Sequence, residues 1–490
     1  MPRIARSAGL KPALRTAGLC PPWGPCVMTH STMTRAQRFE QGKALRVRTP
    51  RESHADLLAP LHRDAVAILA ETDKSRLPEL IPERYRRMMQ NPFAFLRGAA
   101  AVMASDLARE PMAGAPVQAG GDCHIMNFGA FTTPEDNILF DINDFDETLG
   151  GVDFTVDVKR LAASVAVAAK TGGLSAKRAR ALASDAVAAY RASMFALMER
   201  SPLEIWHARI DLEQELKRFK NVELTRSLSV LIDRARAKGL DRDDNFPHLM
   251  SGPDPRIADK KPTLFHFRPD DPEALKFDPK RVFALYRATL TPERATLIDR
   301  YEMKDIAFKA VGVGSVGTFC CVGLFMSGDE EPLFLQVKEA QVSALERLSP
   351  SLAFQGPQGR RVVEGQRMMQ AASDIFLGWT ADKASGREFY VRILKNRRLG
   401  SVSDIAEQEA LADYARLCGR TLARAHARSG DPALIAGYMG RNEAFDDAIA
   451  SFALAYSDQT ALDHAALVKA KSPPPGDGEP NGEKAARKTA

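Results

Sequence analysis

The chain has 490 residues, of which 45% are hydrophobic and 27% charged, and its formal net charge at pH 7 is +6. These proportions are ordinary for a folded globular protein, and so mild a positive charge, much of it in the two tails, argues against nucleic-acid binding. The sequence has no run of about 18 apolar residues, so we expect no membrane-spanning helix.

Six cysteines occur along the chain, and no two of them form a CxxC pair. Cys320 and Cys321 are neighbours in an apolar, strand-like run. Neither a disulfide framework nor a zinc site is indicated by this spacing. Free cysteines are typical of a reducing compartment, and we expect a cytoplasmic protein without membrane contacts.

The two ends of the chain differ in composition from its middle. Residues 1–50 are predicted to form a disordered, basic extension, because their first part is rich in proline, glycine and serine and lacks the apolar core of a secretory signal. Translation from Met28 or Met33 would explain that first part equally well. Residues 471–490 are predicted to be a disordered tail.

Residues 51–300 are predicted to be largely helical. Asn91 and Pro92 are residue types that favour a helix N-cap and the first helical position. Strands are predicted at Phe128–Thr132 and Ile138–Ile142 around a turn at 134–137. Helices are expected at 155–170 and from Ser175 to about residue 200. Residues 200–300 are polar and largely helical in pattern, and they indicate no chemistry.

A β-rich block is predicted over residues 301–398. Strands are expected at 306–313, 318–325 and 333–337, a helix at 359–373, and two further strands at 375–379 and 388–394. Residues 399–470 return to a helical pattern. The predicted fold is therefore α+β, with a small sheet-bearing part and a larger helical part.

Two acidic segments flank the predicted hairpin. Residues 120–129 read GGDCHIMNFG, and residues 140–147 read FDINDFDE. Their candidate side chains are Asp122, His124, Asn127, Asp141, Asp144 and Asp146. Phosphoryl transfer uses a carboxylate to orient the attacking hydroxyl, and a second carboxylate with an amide oxygen to hold Mg²⁺. The alternative is a solvated acidic turn, which the interleaved apolar residues make less favourable.

A glycine-rich segment lies at residues 311–318, with the sequence VGVGSVGT. Gly312, Gly314 and Gly317 form a G-x-G-x-x-G pattern that includes Ser315, and such glycines let backbone amides approach phosphate oxygens. A dinucleotide-binding site would have a helix after the third glycine. Here a strand is predicted to follow, which is the arrangement of a kinase glycine-rich loop.

Lys338 ends the apolar run LFLQVK of the third predicted strand. A lysine in this position can reach nucleotide phosphates and pair with a glutamate of the next helix. Glu346 and Glu364 both qualify as that partner, and Glu364 lies on the better-defined predicted helix. The alternative is a surface lysine at a strand end.

These segments resemble known families. The pattern of Asp122, His124 and Asn127 resembles the catalytic loop of aminoglycoside and choline phosphotransferases, within the protein-kinase-like superfamily. Asp144 and Asp157 resemble their metal-binding aspartate and the structural aspartate of the next helix. The stretch from about residue 42 to 470 also resembles a bacterial family of uncharacterised proteins, domain-of-unknown-function family 2252.

Two features depart from the superfamily pattern. The glycine loop and the lysine follow the catalytic segment here, whereas in kinases they precede it. The resemblance therefore implies a two-lobe kinase-like fold in circular permutation, with a C-lobe part at 51–300, an N-lobe part at 301–398 and returning C-lobe helices at 399–470. Gly120 stands where many members carry a histidine, which removes an expected support of the loop.

The resemblance implies roles for the candidate residues. Asp122 would be the catalytic base. Asn127 and Asp144 would bind Mg²⁺, with Asp141 as the alternative ligand and Asp146 assisting. The glycine loop and Lys338, paired with Glu364, would bind ATP phosphates. His124 would assist the site or contact the loop backbone, Asp157 would support the loop, and His426 would be a packing histidine.

We therefore expect an ATP- and Mg²⁺-dependent phosphotransferase that acts on a hydroxyl of a small molecule or a protein. Two other classes stay open at this point. One is a nucleotide-binding pseudokinase that serves as a scaffold. The other is a metal-dependent phosphoesterase that uses the aspartate and histidine cluster alone.

Overall fold

The computed structural model describes most of the chain. The described residues are 33–57, 63–133, 137–237, 247–250, 255–261, 263–267, 277–309, 316–383, 385–394 and 408–472. Residues 1–32, nearly all of the predicted tail 471–490 and most of the predicted turn 134–137 lie outside them. Within the described residues the fold is α+β, as the sequence predicts.

A helix occupies part of the segment that was expected to be disordered. Helix α1 spans Arg35–Arg48, and its N-cap Thr34 exchanges hydrogen bonds with Gln37 in a capping box. Gly42 lies against a later helix so closely that a Cβ atom there would be 2.1 Å from the carbonyl oxygen of Leu434. The expectation of disorder over residues 1–50 is therefore wrong for this helix, which tertiary packing stabilises.

Four short helices follow α1. They are α2 (Ala65–Asp73), α3 (Ile81–Met88), α4 (Pro92–Gly98) and α5 (Ala100–Leu107). Asn91 caps α4 by accepting a hydrogen bond from Ala94 N, with Pro92 in the first turn, as the sequence predicts.

Four strands then bracket the acidic segments. They are β1 (Pro116–Ala119), β2 (Phe128–Thr132), β3 (Ile138–Ile142) and β4 (Leu149–Asp153). Strands β2 and β3 form the predicted antiparallel pair. Strands β1 and β4 also pair, which the sequence analysis missed. The two strand pairs hold both ends of the connecting segments 120–127 and 143–148, which carry the acidic residues.

Two long helices follow β4 at the predicted places. They are α6 (Phe154–Thr171) and α7 (Ala176–Met198), and Ser175 caps α7. Helix α6 is buried over nearly its whole length, and its buried residues include Asp157, Lys159 and Arg160. Buried charges of this kind require partners, and the partners of Asp157 and Arg160 lie in the segment 120–127.

The described residues between 200 and 300 are mostly helical, as expected. Its helices are α8 (Pro202–His207), α9 (Leu212–Leu216), α10 (Val222–Ala237), α11 (Pro279–Arg287) and α12 (Pro292–Ile298). Three two-residue strands also occur there, β5 (Leu249–Met250), β6 (Arg256–Ile257) and β7 (Leu264–Phe265).

A six-stranded sheet forms the β-rich block. Its further strands are β8 (Tyr301–Lys309), β9 (Cys320–Ser327), β10 (Pro332–Glu339), β11 (Gly378–Asp382) and β12 (Arg387–Ile393). The strand order is β11-β12-β10-β9-β8-β7, and all neighbours are antiparallel. Helix α13 (Gln358–Met369) connects β10 to β11. Strand β11 begins three residues later than the sequence pattern indicates.

The described residues 408–472 form three helices, within the predicted helical stretch. They are α14 (Gln408–Ala427), α15 (Pro432–Met439) and α16 (Ala444–Lys471). Helix α14 packs on α7, and α16 packs on α6 and α7, so one hydrophobic core joins the early and late parts of the chain. In the part of the chain that the structure describes, no helix has both the length and the apolar character needed to cross a membrane.

Candidate functional site

The two acidic segments meet at one cleft with a volume of about 520 Å³. Its walls come from helices α2 to α5, from the segments that flank the β2–β3 hairpin, and from the residues after β10. The sequence-predicted residues that line it are Asp122, His124, Asn127, Asp144, Asp146 and Glu346. Residues separated in the sequence by a hairpin are therefore brought to one surface.

Asp157 of α6 holds the loop that begins with Gly120. Its two carboxylate oxygens accept hydrogen bonds from Gly120 N at 2.7 Å and from Gly121 N at 2.9 Å. This confirms the expected support of the loop by Asp157. His426 lies 3.1 Å from the same carboxylate through Nε2, and its Nδ1 lies 2.9 Å from the Tyr190 hydroxyl. His426 is thus a buried structural residue, as expected.

Asp122 is anchored by an arginine that the sequence analysis missed. Arg160 donates to Asp122 Oδ1 from Nη2 at 2.6 Å and from Nε at 3.0 Å. Burial raises the pKa of Asp122, although Arg160 opposes this shift. Arg160 follows Asp157 by three residues on the same helix, so helical spacing could have placed it on the face that meets the loop.

His124 contacts both the loop backbone and the vicinity of Asp122. Its Nδ1 accepts a hydrogen bond from Met126 N at 3.2 Å, which leaves the proton on Nε2. That Nε2 lies 3.7 Å from Asp122 Oδ2. The ring therefore fixes the loop and directs an N–H group towards the free oxygen of Asp122.

Asn127 and Asp144 both lie just beyond the open end of the hairpin and line the cleft. Phe128 pairs with Ile142 in the ladder, and Asn143 N donates to the carbonyl oxygen of Asn127 at 2.8 Å. The side-chain nitrogen of Asn127 donates to the carbonyl oxygen of Asp122 at 2.7 Å. Among the described residues no donor contacts Asn127 Oδ1, so this oxygen remains available as a ligand.

Asp144 and Asp141 have different surroundings. One oxygen of Asp144 accepts a hydrogen bond from Asp146 N at 3.1 Å, and the residue lines the cleft. Asp141 is 1% exposed, forms an ion pair with Arg424 and accepts a hydrogen bond from Ala371 N. Since Asp141 does not line the cleft, Asp144 is the better candidate ligand of the two.

Lys338 of strand β10 is buried and does not itself line the cleft, but it contacts Asp146, which does. Its ammonium group pairs with Asp146 Oδ2, while the Tyr390 hydroxyl donates to Asp146 Oδ1 at 2.7 Å. Burial alone would lower the pKa of Lys338, but the carboxylates of Asp144 and Asp146 raise it overall. The buried amine therefore stays protonated and is held beside the candidate metal ligands.

Glu364 does not pair with Lys338 as expected. It accepts a hydrogen bond from Arg360 Nε at 2.6 Å within helix α13. The same helix instead contributes Arg361, whose Nη2 donates to the carbonyl oxygens of Asp146 and Gln341 at 2.8 Å. Asp146 therefore takes the place of a helix glutamate beside the lysine.

The glycine-rich segment is described only at its end. Gly312, Gly314 and Ser315 lie outside the described residues. Gly317 has a positive φ of 94°, and its carbonyl oxygen accepts a hydrogen bond from Leu77 N at 2.7 Å. The segment connects the antiparallel strands β8 and β9, as predicted for a glycine loop of this type.

The described residues contain no group of three or more His, Cys, Asp or Glu side chains arranged to hold a metal ion. Asn127 and Asp144 would contribute one amide and one carboxylate oxygen to a metal ion, in a cleft that further carboxylates also line: Asp122, Asp146, Glu147, Glu339 and Glu346. Mg²⁺ typically binds through one or two protein oxygens together with substrate phosphates and water. This donor set fits Mg²⁺ bound with a phosphate ligand.

A model of a protein family matches residues 76–470, and the family is described as uncharacterized protein conserved in bacteria (DUF2252). No curated protein and no solved structure matches the chain.

Proposed function

The chain belongs to the bacterial DUF2252 family, and from that premise we propose that it is an ATP- and Mg²⁺-dependent phosphotransferase. The description of the family names no activity, so support comes from the cleft itself. The acceptor would be a hydroxyl group of a small molecule or of a protein, and the enzyme would act in the cytoplasm, where ATP is present.

The observation that carries the proposal is the contact between Lys338 and Asp146. Lys338 lies on the strand after the glycine-rich connection, and Asp146 belongs to the segment that contains Asp144. Kinases place a strand lysine, a metal-binding aspartate and a catalytic-loop aspartate and asparagine around the transferred phosphate. Here Asp122, Asn127 and Asp144 line the cleft, and Lys338 adjoins it through its contact with Asp146, which supports the proposal.

In the proposed reaction the γ-phosphoryl group passes from ATP to the acceptor oxygen. The bond to the β-phosphate oxygen breaks, a new oxygen–phosphorus bond forms, and ADP leaves. Asp122 would orient the acceptor hydroxyl through Oδ2 and take its proton, while Arg160 keeps Oδ1 fixed. Lys338 would bind phosphate oxygens by charge.

Asn127 and Asp144 would hold Mg²⁺ in this scheme. A bound Mg²⁺ would neutralise part of the negative charge on the phosphate oxygens. The backbone hydrogen bond from Asn143 to Asn127 holds together the two segments that carry Asn127 and Asp144, before any metal ion or nucleotide binds. Catalysis by positioning and charge requires no covalent nucleophile on the protein.

We also propose that the fold is kinase-like and circularly permuted. A permutation preserves geometry when the joined ends lie close together. Early and late elements are in contact here: a Cβ on Gly437 of α15 would lie 2.1 Å from the carbonyl oxygen of Phe39 in α1. Arg63 pairs with Asp463 of α16 at 2.6 Å.

The proposal is tested by thermal shift and by ATP turnover on the same preparation. A ligand that binds only the folded state raises the melting temperature. We expect Mg-ATP to raise it in the wild type and to do so much less in Lys338→Ala and Asp144→Ala. No shift at millimolar Mg-ATP would contradict the proposal.

The turnover measurement separates the three function classes. Phosphate transfer to an acceptor supports the phosphotransferase. Mg-ATP binding without any turnover points to a pseudokinase. Hydrolysis of a phosphate ester without ATP points to the phosphoesterase.

A further inference from the structure

Arg76 lies in the wall of the cleft that the acidic segments also line, and it plays no part in the function proposed above. It follows helix α2, and 9% of its side chain is exposed. Its side chain lines the same cleft as Asp122 and Asp144. An arginine that is nine-tenths buried beside a cleft requires an explanation of how its charge is balanced.

The described surroundings of Arg76 neutralise it only in part. Its nearest carboxylate, Asp73, is 4.0 Å away. Asp73 is already paired with Arg84, whose side chain is 1% exposed. Asp73 also accepts a hydrogen bond from the Tyr85 hydroxyl. Two buried guanidinium groups therefore share one carboxylate. The Nε atom of Arg76 is buried and has no hydrogen-bond partner among the described residues.

Arg76 is tied to the end of the glycine-rich segment. Its Nη1 donates to the carbonyl oxygen of Val316, and the next residue, Leu77, donates from its backbone to Gly317. A Cβ atom on Gly317 would lie 3.0 Å from Cβ of Arg76, so the absence of a side chain lets the two segments approach. The guanidinium group is thus fixed between the described end of this segment and the acidic side of the cleft.

Burial, with help from the neighbouring Arg84, lowers the pKa of Arg76 to about 10. The group is still protonated at neutral pH. The carboxylates of Asp73, Glu147 and Asp146 oppose this lowering, and Asp146 and Glu147 line the same cleft as Arg76. A fixed, partly uncompensated guanidinium group that faces a cleft fits a phosphate anion.

We propose that Arg76 binds a phosphate group in this cleft. The phosphate can belong to the nucleotide, in which case the inference rests on the proposed function, or to a different phosphorylated ligand. Pyrophosphate, Mg-ATP and adenosine distinguish these sources, since they carry phosphate alone, phosphate with base, and base with sugar alone.

The test is calorimetric titration of these three ligands into the full-length wild type, Arg76→Gln and Arg86→Gln. Arg86 is the matched control, because it is an arginine of α3 with a side chain that is 64% exposed and lies outside the cleft lining. For Arg76→Gln we expect pyrophosphate and Mg-ATP to bind roughly tenfold to hundredfold more weakly, because the variant lacks one charged hydrogen-bonding group. Adenosine binding should not change, and Arg86→Gln should behave as the wild type.

Folded Arg76→Gln that binds pyrophosphate as tightly as the wild type would overturn the inference. Should this variant not fold, amide hydrogen exchange of the wild type decides instead. Pyrophosphate should slow exchange in residues 73–80, and unchanged exchange would overturn the inference.

The two proposals fail separately. Binding of pyrophosphate through Arg76 without binding of Mg-ATP leaves this inference standing and contradicts the phosphotransferase. Binding of Mg-ATP that depends on Lys338 and Asp144 but not on Arg76 contradicts this inference and leaves the phosphotransferase proposal standing.

Discussion

The ammonium group of Lys338 contacts the carboxylate of Asp146, although the two residues lie 192 positions apart in the chain. The Tyr390 hydroxyl holds the other oxygen of the same carboxylate. One aspartate thereby joins the sheet to the loop that follows the hairpin. Because Lys338 and Tyr390 both belong to the sheet, a shift of the sheet relative to the loop would break both contacts with Asp146.

Lys338→Ala should remove the charge that we propose for phosphate binding. We expect the affinity for Mg-ATP to fall roughly tenfold or more, since charge-assisted hydrogen bonds are worth about 1.5–3 kcal/mol. Thermal shift with increasing Mg-ATP measures this. Lys304→Ala is the control, because Lys304 also lies on a strand of the sheet but pairs with the exposed Glu302. Equal shifts in both variants would exclude Lys338 as a phosphate ligand.

Asp146→Asn should weaken Mg-ATP binding, because it removes the charge that positions Lys338. Glu364→Gln should not, since Glu364 pairs with Arg360 of its own helix. Titration of both variants with Mg-ATP compares the two candidate partners of the lysine. If Glu364→Gln proved the weaker binder, the pairing seen here would not be the one that matters for the nucleotide.

Asp122→Asn should leave Mg-ATP binding intact and reduce turnover. Loss of a general base typically costs about 10²- to 10⁴-fold in rate. The measurement is ADP release in the presence of an acceptor, with Asp458→Asn as an exposed control. Turnover that survives in Asp122→Asn would remove this residue from the proposed role.

Asp144→Asn should abolish the dependence of nucleotide binding on Mg²⁺. We expect binding of ATP without metal to change little, because Lys338 remains. Titration of ATP with and without Mg²⁺ measures the difference. A variant that keeps the full effect of Mg²⁺ would show that the metal binds elsewhere.

Asp141→Asn serves as the contrast to Asp144→Asn. It breaks a buried ion pair with Arg424, and such breaks cost about 3–5 kcal/mol of the free energy of unfolding. The effect of Mg²⁺ on nucleotide binding by the protein that stays folded should be unchanged. If Mg²⁺ no longer affected nucleotide binding in Asp141→Asn, Asp141 would be a metal ligand.

Glu147 should make the stability of the fold depend on pH. Burial raises its pKa from 4.5 to about 7, against the opposing hydrogen bond from Ala344 N. An acid whose pKa is higher in the folded than in the unfolded state takes up a proton on folding, so stability falls as pH rises between these two values. Above about pH 7 this contribution does not change further.

Glu147→Gln should therefore be more stable than the wild type at pH 8, by on the order of 1–3 kcal/mol, and should lose less stability between pH 5 and 7. Urea unfolding at several pH values tests this, with the exposed Glu293→Gln as control. Parallel pH profiles of Glu147→Gln and the wild type would show that the Glu147 carboxyl does not titrate in this range.

The sequence predicts the local structure of the site better than its contacts. The hairpin of β2 and β3 follows from short apolar runs around a turn, and the caps Asn91 and Ser175 follow from residue type. These signals are local, because they depend on residues a few positions apart. Helix α1 was missed although Thr34 and Gln37 give it the local signal of a capping box, and its close packing at Gly42 against Leu434 depends on a distant part of the chain.

The partners of the charged groups depend on distant parts of the chain. A lysine at a strand end can face several carboxylates, and only the packing of the sheet against the loop selects Asp146 over Glu364. Asp141 and Asp144 occupy similar positions in one motif, and their difference lies in Arg424, which belongs to helix α14. Helical spacing from Asp157 could have identified Arg160, since both lie on one face of α6.

Helix α14 holds the acidic segments from behind, through Arg424 on Asp141 and His426 on Asp157. A ribosome makes these segments before it makes residues 408–427. An interrupted chain that ends before residue 408 would carry every proposed phosphate and metal ligand, yet lack the helix that fixes their supports. The site is therefore completed only after residues 408–427 have been made and have packed.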